Sequence, residues 1–151
     1  PVLVVQQRRF NDGYHRIVFP ISNDMEVRQK VKLALGLQKR FGATLLLFQD
    51  HEEDSGLRGQ LEVKTQQIMD ELRRNGAQFR LSRSDEGDFA ANVIQFSVAE
   101  EADLILVMSL ADGETPGFFF NTWSEKIMFN TAQIPVMCLN PVDYGKIYFD
   151  L

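Results

Sequence analysis

The stretch His15-Arg16-Ile17-Val18-Phe19-Pro20-Ile21-Ser22-Asn23 decides how the rest of the chain is read. Residues 17–21 are apolar at every position instead of alternating, the pattern of a strand covered on both faces. The run stops at Ser22-Asn23-Asp24, residue types that favour turns and helix N-caps. A stripe at helical spacing follows at once: Val27, Val31, Ala34, Leu35 and Phe41, closed by Gly42. A doubly covered strand that turns directly into an amphipathic helix is the first half of a βαβ unit.

The same alternation recurs toward the C-terminus. Further strands are predicted over Thr44–Phe48, Gln78–Ser82, Asp103–Met108 and Pro135–Leu139. Between them, Leu57, Leu61, Ile68 and Leu72 share a helical face, with Ser55 before it and Gly76 after. A third helix runs from about Asp88 through Phe89, Val93, Phe96 and Ala99 to Ala102, and a fourth spans about Thr122 to Thr131. The order β-α-β-α-β-α-β-α-β forces right-handed crossovers. It predicts a three-layer α/β/α sandwich around a five-stranded parallel sheet. Such sheets bind ligands beyond the carboxyl ends of their strands, here at Ser22-Asn23-Asp24 and along residues 109–121.

Length and composition limit the alternatives. At 151 residues the chain has the size of one domain, and 44% hydrophobic with 25% charged residues is a balance that folds. The net charge of −5, with basic residues scattered as Arg8-Arg9, Lys39-Arg40 and Arg73-Arg74, excludes a dedicated nucleic-acid surface. Cys138 is the single cysteine and lies in an apolar run, so no internal disulfide forms and a reducing compartment fits. No apolar stretch approaches the roughly 20 residues of a membrane span. The N-terminal run lacks the basic leader of a signal peptide. Together these predict a cytoplasmic domain without membrane contact.

The chain opens with Pro1-Val2-Leu3-Val4-Val5-Gln6, which resembles Pro135-Val136-Met137-Cys138-Leu139-Asn140. Residues Gln7–Gly13 read as a linker. In one reading Pro1–Gln6 is the last strand of a preceding copy of the same domain; in the other it is an extra edge strand. The first is slightly preferred. The organisation expected is a strand-like segment and linker over 1–13, one domain over 14–141 and a tail over 142–151.

Several of these runs together resemble one family. His15–Asn23 looks like the opening of the universal stress proteins, whose first strand ends in Pro-Val-Asp followed by a small residue. Val93–Met108 is similar to that family's third helix and fourth strand, with Ala102-Asp103-Leu104-Ile105 as its Ala-Asp-Leu-Ile signature. The run Thr122-Trp123-Ser124-Glu125-Lys126-Ile127, leading to Ile134-Pro135-Val136, is similar to its last helix and strand. The resemblance covers nearly everything from Tyr14 to Asn140. It implies a topology of the adenine nucleotide α-hydrolase type and a homodimer built through the last strand, Val136–Leu139.

ATP-binding members of that family carry Gly-x-x-Gly, nine residues, then Gly-Ser or Gly-Thr after the fourth strand. Glycine lets backbone N–H groups close on phosphate oxygens, and the following helix N-terminus favours their charge. In the register set by the final helix, Met108 and Ala111 stand at the two leading glycines, Asn121 at the third and Thr122 at the hydroxyl residue. Ser22 stands where the family has an acidic residue, with Asn23 beside it. Gly113 and Gly117 have the wrong spacing, and Asp112 and Glu114 would repel a triphosphate. Phe118-Phe119-Phe120 follows where a phosphate loop is small and polar. These rings are read as packing the loop down rather than lining a pocket. Asn121 and Thr122 are read as a cap for the last helix.

Other candidates are weaker. Asp50-His51-Glu52-Glu53-Asp54 offers metal-type side chains, but consecutive residues splay, so a solvated loop and no metal are expected. His15 reads as a surface residue, and Asp85-Glu86-Gly87-Asp88 as a capping turn. There is no Gly-x-Ser-x-Gly elbow and no Walker-type loop. Three readings follow in order: a non-catalytic regulatory or interaction domain without bound nucleotide; an ATP- or AMP-binding stress-response protein using Ser22, Asn23, Asn121 and Thr122; and a hydrolase of a nucleotide or small ester.

Overall fold

A computed structural model describes residues 1–7, 13–23, 28–108 and 126–139. In chain order the elements are β1 (Val2–Val4), β2 (Arg16–Ile21), α1 (Arg28–Phe41), β3 (Thr44–Gln49), α2 (Ser55–Arg74), β4 (Phe79–Arg83), α3 (Phe89–Ala99), β5 (Leu104–Met108) and β6 (Val136–Leu139). Residues 126–128 are also helical. The sheet runs β1-β6-β5-β2-β3-β4. Five strands, β2 to β6, are parallel as expected. The sheet itself has six, because β1 adds an antiparallel edge on β6. The fold class is α/β as read from the sequence, and the strand count is corrected by one.

The central strands divide their side chains between two cores, as a pleat of period two requires. Ile17, Phe19, Ile21, Leu45, Leu47, Leu104 and Leu106 join Val31, Ala34, Leu61, Ile68 and Leu72 under α1 and α2. Val18, Leu46, Phe48, Ile105, Val107, Val136 and Cys138 join Phe89, Ala90, Val93, Ile127 and Met128 on the opposite face. Burying each large aliphatic or aromatic side chain contributes about 1.5–3 kcal/mol, which is why apolar runs on this pattern become central strands.

Helix ends follow local chemistry. Gly42 (φ +65°) and Gly76 (φ +66°) close α1 and α2 in the left-handed region that a side chain would strain. The start of α2 is one residue earlier than read: Asp54 is the cap, its Oδ1 accepting from Gly56 N and Leu57 N, and Ser55 is already helical. Asp88 caps α3 in the same way, as the capping-turn reading required. The third helix stops at Ala99, short of the expected Ala102, because Glu101 turns to φ +52° and Ala102 N bonds back to Ser97 O.

Candidate functional site

Asp103, in the signature run, is a structural staple. Its Oδ2 accepts from His15 N at 2.8 Å and Arg16 N at 2.9 Å, fixing the amino end of β2 beside that of β5. The two strands therefore enter the sheet in register, Ile17 with Leu104 and Val18 with Ile105. Their carboxyl ends are carried to one edge of the molecule. Connections leave β2 toward β3 on one side, while β5 lies on the other, so the crevice for a ligand lies beyond Ile21 and Met108.

Ser22 and Asn23 sit at that place, and both are tied to the neighbouring loop. The Asn23 amide donates to Glu52 Oε2 at 3.2 Å and to Leu57 O at 3.0 Å. Lys64, from α2, donates to Ser22 O at 2.9 Å and Asn23 O at 3.3 Å. Asp50 N continues the ladder by donating to Ile21 O, and Ser84 N donates to Gln49 O. The Ser22 side chain is different: it is buried, and its Oγ has no partner. Met108 is buried at the end of β5, opposite Leu139. Ala111, Asn121 and Thr122 lie outside the described residues, as does the Phe118–Phe120 run.

Sequence reasoning missed the most perturbed group nearby. Lys30 lies on α1, fully buried, its Nζ donating to Pro20 O and standing 4.1 Å from the centre of the Phe19 ring. Burial lowers its pKa from 10.5 to about 7, helped by the positive charge of Lys64 and opposed by Cys138. The signal was weak, because a lysine inside an amphipathic helix normally marks the solvent side. Two more buried side-chain atoms among the described residues lack partners, Gln49 Oε1 at the end of β3 and Thr65 Oγ1 on α2. The Gln49 amide donates to Glu62, and that bond, with Arg83, holds the Glu62 carboxyl below the usual carboxylate range.

The acidic loop after β3 behaves partly as expected. Glu52 turns inward to Asn23 and Asp54 N, and Asp54 caps α2. His51 and Glu53 point out, where Glu86 from the next loop meets them, one ligand-type atom of each lying within 4.8 Å of the others. All three are exposed. His15 is exposed too, and its role is through its backbone.

The outer edge of β6, on which a last-strand dimer was expected, carries β1 instead. Pairing a second copy there requires β1 to leave.

This arrangement is shared with solved structures. A universal stress protein from Archaeoglobus fulgidus matches with TM-score 0.67 and 13% identity over 83% of this chain and 93% of that one. A universal stress protein in complex with cAMP matches with TM-score 0.63 and 12% identity over 87% of this chain and 100% of that one. A universal stress protein from Archaeoglobus fulgidus DSM 4304 matches with TM-score 0.60 and 16% identity over 88% of this chain and 46% of that longer chain. No protein-family model and no curated protein matches the sequence. The chain has the universal stress protein fold. No helix among the described residues is long and apolar enough to cross a membrane.

Proposed function

We infer that this is a universal stress protein-like regulatory or interaction domain that works without bound ATP. The observation that carries the reading is the simultaneous loss of four groups the phosphate site needs: Met108, Ala111 and Asn121 replace glycines, and Ser22 replaces a carboxylate. Side chains at those positions crowd the backbone N–H groups that a triphosphate would draw on. The first turn supports the reading from its own side. Asn23 spends its amide on Glu52 and Leu57 O, so it offers no free donor there. The domain acts in this reading through protein contacts, in a reducing, cytoplasmic setting.

One observation favours a second reading, adenylate binding at the same crevice: Ser22 Oγ is buried without a partner beside it. A solved protein of the same fold binds cAMP. The two readings separate in a thermal unfolding experiment with millimolar ATP and magnesium, repeated with AMP and with cAMP. Under the first, the midpoint does not move. A ligand at about 100 times its dissociation constant would add about 2.7 kcal/mol, a rise of roughly 5–10 °C for a domain of this size. A rise of that kind that disappears in Ser22→Ala would establish the second reading.

A further inference from the structure

Successive side chains of the loop after β3 point to opposite sides. Glu52 turns inward, where its carboxylate accepts from the Asn23 amide and from Asp54 N. His51 and Glu53 turn outward together. Consecutive groups of metal-binding type were expected to splay apart. The alternation instead puts an imidazole and a carboxylate on one side, and the loop after β4 brings Glu86 to them. His51 Nε2 stands 3.8 Å from Glu86 Oε1, too far for a hydrogen bond, and one ligand-type atom of each side chain lies within 4.8 Å of the others. Two ligands on one zinc ion, with bonds of about 2.0–2.2 Å, lie about 3.4 Å apart at the tetrahedral angle. Exposed side chains close the difference by small torsions.

Two further observations point to a cation at this place. Among the described residues, neither the Glu53 nor the Glu86 carboxylate takes a hydrogen bond or ion pair from a lysine or an arginine, and Glu86 pairs with His51 alone. Carboxylates from separate loops are thus brought together with no fixed positive charge between them. Asp50, Glu52, Asp54 and Asp85 in the same loops deepen the negative potential. The loops are also held by bonds that leave the three side chains free. Arg58 donates to Glu52 O at 2.8 Å and Glu53 O at 2.7 Å, and Asp54 caps α2. The Asn92 amide donates to Ser84 Oγ at 2.8 Å and Asp85 O at 3.0 Å, and Asp88 caps α3. The donor set is positioned before an ion arrives.

We propose that His51, Glu53 and Glu86 form a binding site for a divalent metal ion of the zinc type. An imidazole nitrogen with two carboxylates suits zinc and its late first-row neighbours, whereas magnesium and calcium prefer oxygen ligands alone. Three protein ligands on an exposed corner leave the ion at least one position for water. The ion joins the β3–α2 loop to the β4–α3 loop. Glu52, between two of the ligands, faces the other way to Asn23, so the site borders the crevice without taking any of its groups. It stands under either reading of that crevice.

The test is calorimetric titration of the EDTA-treated, dialysed protein with zinc chloride, without nucleotide. One zinc ion per chain is expected. His51→Ala, Glu53→Gln and Glu86→Gln are each expected to weaken it by more than about tenfold, since even the outer partners of metal ligands are worth about 10–100-fold. The chain has two histidines, so His15→Ala is the control and is expected to bind as the parent does. Glu86→Gln decides whether two loops share the ion, because a lone surface histidine would bind zinc equally well without that carboxylate. A measurement on the parent protein needs no variant: imidazole nitrogen NMR is expected to show zinc shifting His51 Nε2 and leaving the His15 ring unmoved. Millimolar magnesium is expected not to reverse that shift. Zinc binding that does not saturate overturns the proposal. So does zinc that binds Glu86→Gln at parental affinity, that shifts the His15 ring instead, or that millimolar magnesium displaces.

Discussion

At the scale of single residues, the fold places an ammonium group where a sheet core should be. Lys30 is charged below its pKa, so the position of that pKa in each state decides what it does to stability. In the unfolded chain it titrates near the ordinary 10.5, and in the native protein near about 7. Between those values the unfolded chain holds a proton that the native state lacks. Native stability therefore rises with pH across that window, by about 1.4 kcal/mol per unit at most. Below about 7 both states are protonated, and the whole cost of the buried charge is in place. The Phe19 ring and Pro20 O recover part of it. Lys30→Met should lose the dependence. Urea unfolding from pH 6 to 9 is expected to show the variant's advantage over the parent shrinking as pH rises, and parallel curves for the two proteins would refute it. Asp103 shows the opposite case, a charge whose position makes sense at once. Its carboxylate takes the backbone N–H groups of His15, just before β2, and of Arg16, the strand's first residue.

At the scale of elements, what was legible depended on whether neighbours or tertiary contacts decide the outcome. The limits of β2 were readable because a both-face apolar run ends abruptly at Ser22, and those of β3 came within a residue for the same reason; β4 also came within a residue, although its Arg80 and Arg83 are exposed. Leu57 was read into the apolar face of α2 but is 42% exposed, at the first turn of the helix, where its carbonyl accepts from the Asn23 amide. The caps at Asp54 and Asp88 are alike in geometry, and the second also has a distant partner: Lys126 Nζ donates to Asp88 Oδ2 at 2.7 Å. That hydrogen bond is the main reason its carboxyl lies below the usual carboxylate range, and the bonds from Ala91 N and Ala90 N add to it. The cap and the ion pair can be told apart by two substitutions. Asp88→Ala removes the cap and the pair together and is expected to cost about 1–2 kcal/mol. Asp88→Asn keeps an acceptor for the helix and loses only the exposed pair, about 0.2–1 kcal/mol. The native carboxylate's contribution is present above the unfolded pKa of about 3.9 and fades as pH falls through the lower native value. Denaturant midpoints at neutral and acid pH check both points, and equal losses for the two variants at neutral pH would reject the division.

At the scale of the whole molecule, the two edges of the sheet are built differently. β4 ends one side with Arg80 and Arg83, each paired to a carboxylate, and charged edges resist further pairing. β1 ends the other with Val2 and Leu3 and a short ladder. The first edge carries its signal in Arg80 and Arg83, although the run Gln78–Ser82 was read only as one more doubly buried strand. The second could not be read, because an apolar hexapeptide is equally a strand of this sheet or of another, and only its pairing distinguishes them. Between these edges, β2, β3 and β5 are buried on both faces and bonded on both sides, so opening them means opening both cores. Hydrogen exchange should record that gradient. Amide protons bridging β1 and β6 are expected to exchange through local opening, well ahead of those bridging β2 with β3. The side of β6 that pairs with β5, from Val136 opposite Ile105 to Leu139 opposite Met108, is expected to stay protected while its β1 side exchanges. Equal protection on the two sides of β6 would mean that β1 unfolds only with the whole sheet, and a strand so firmly held could not give way to another.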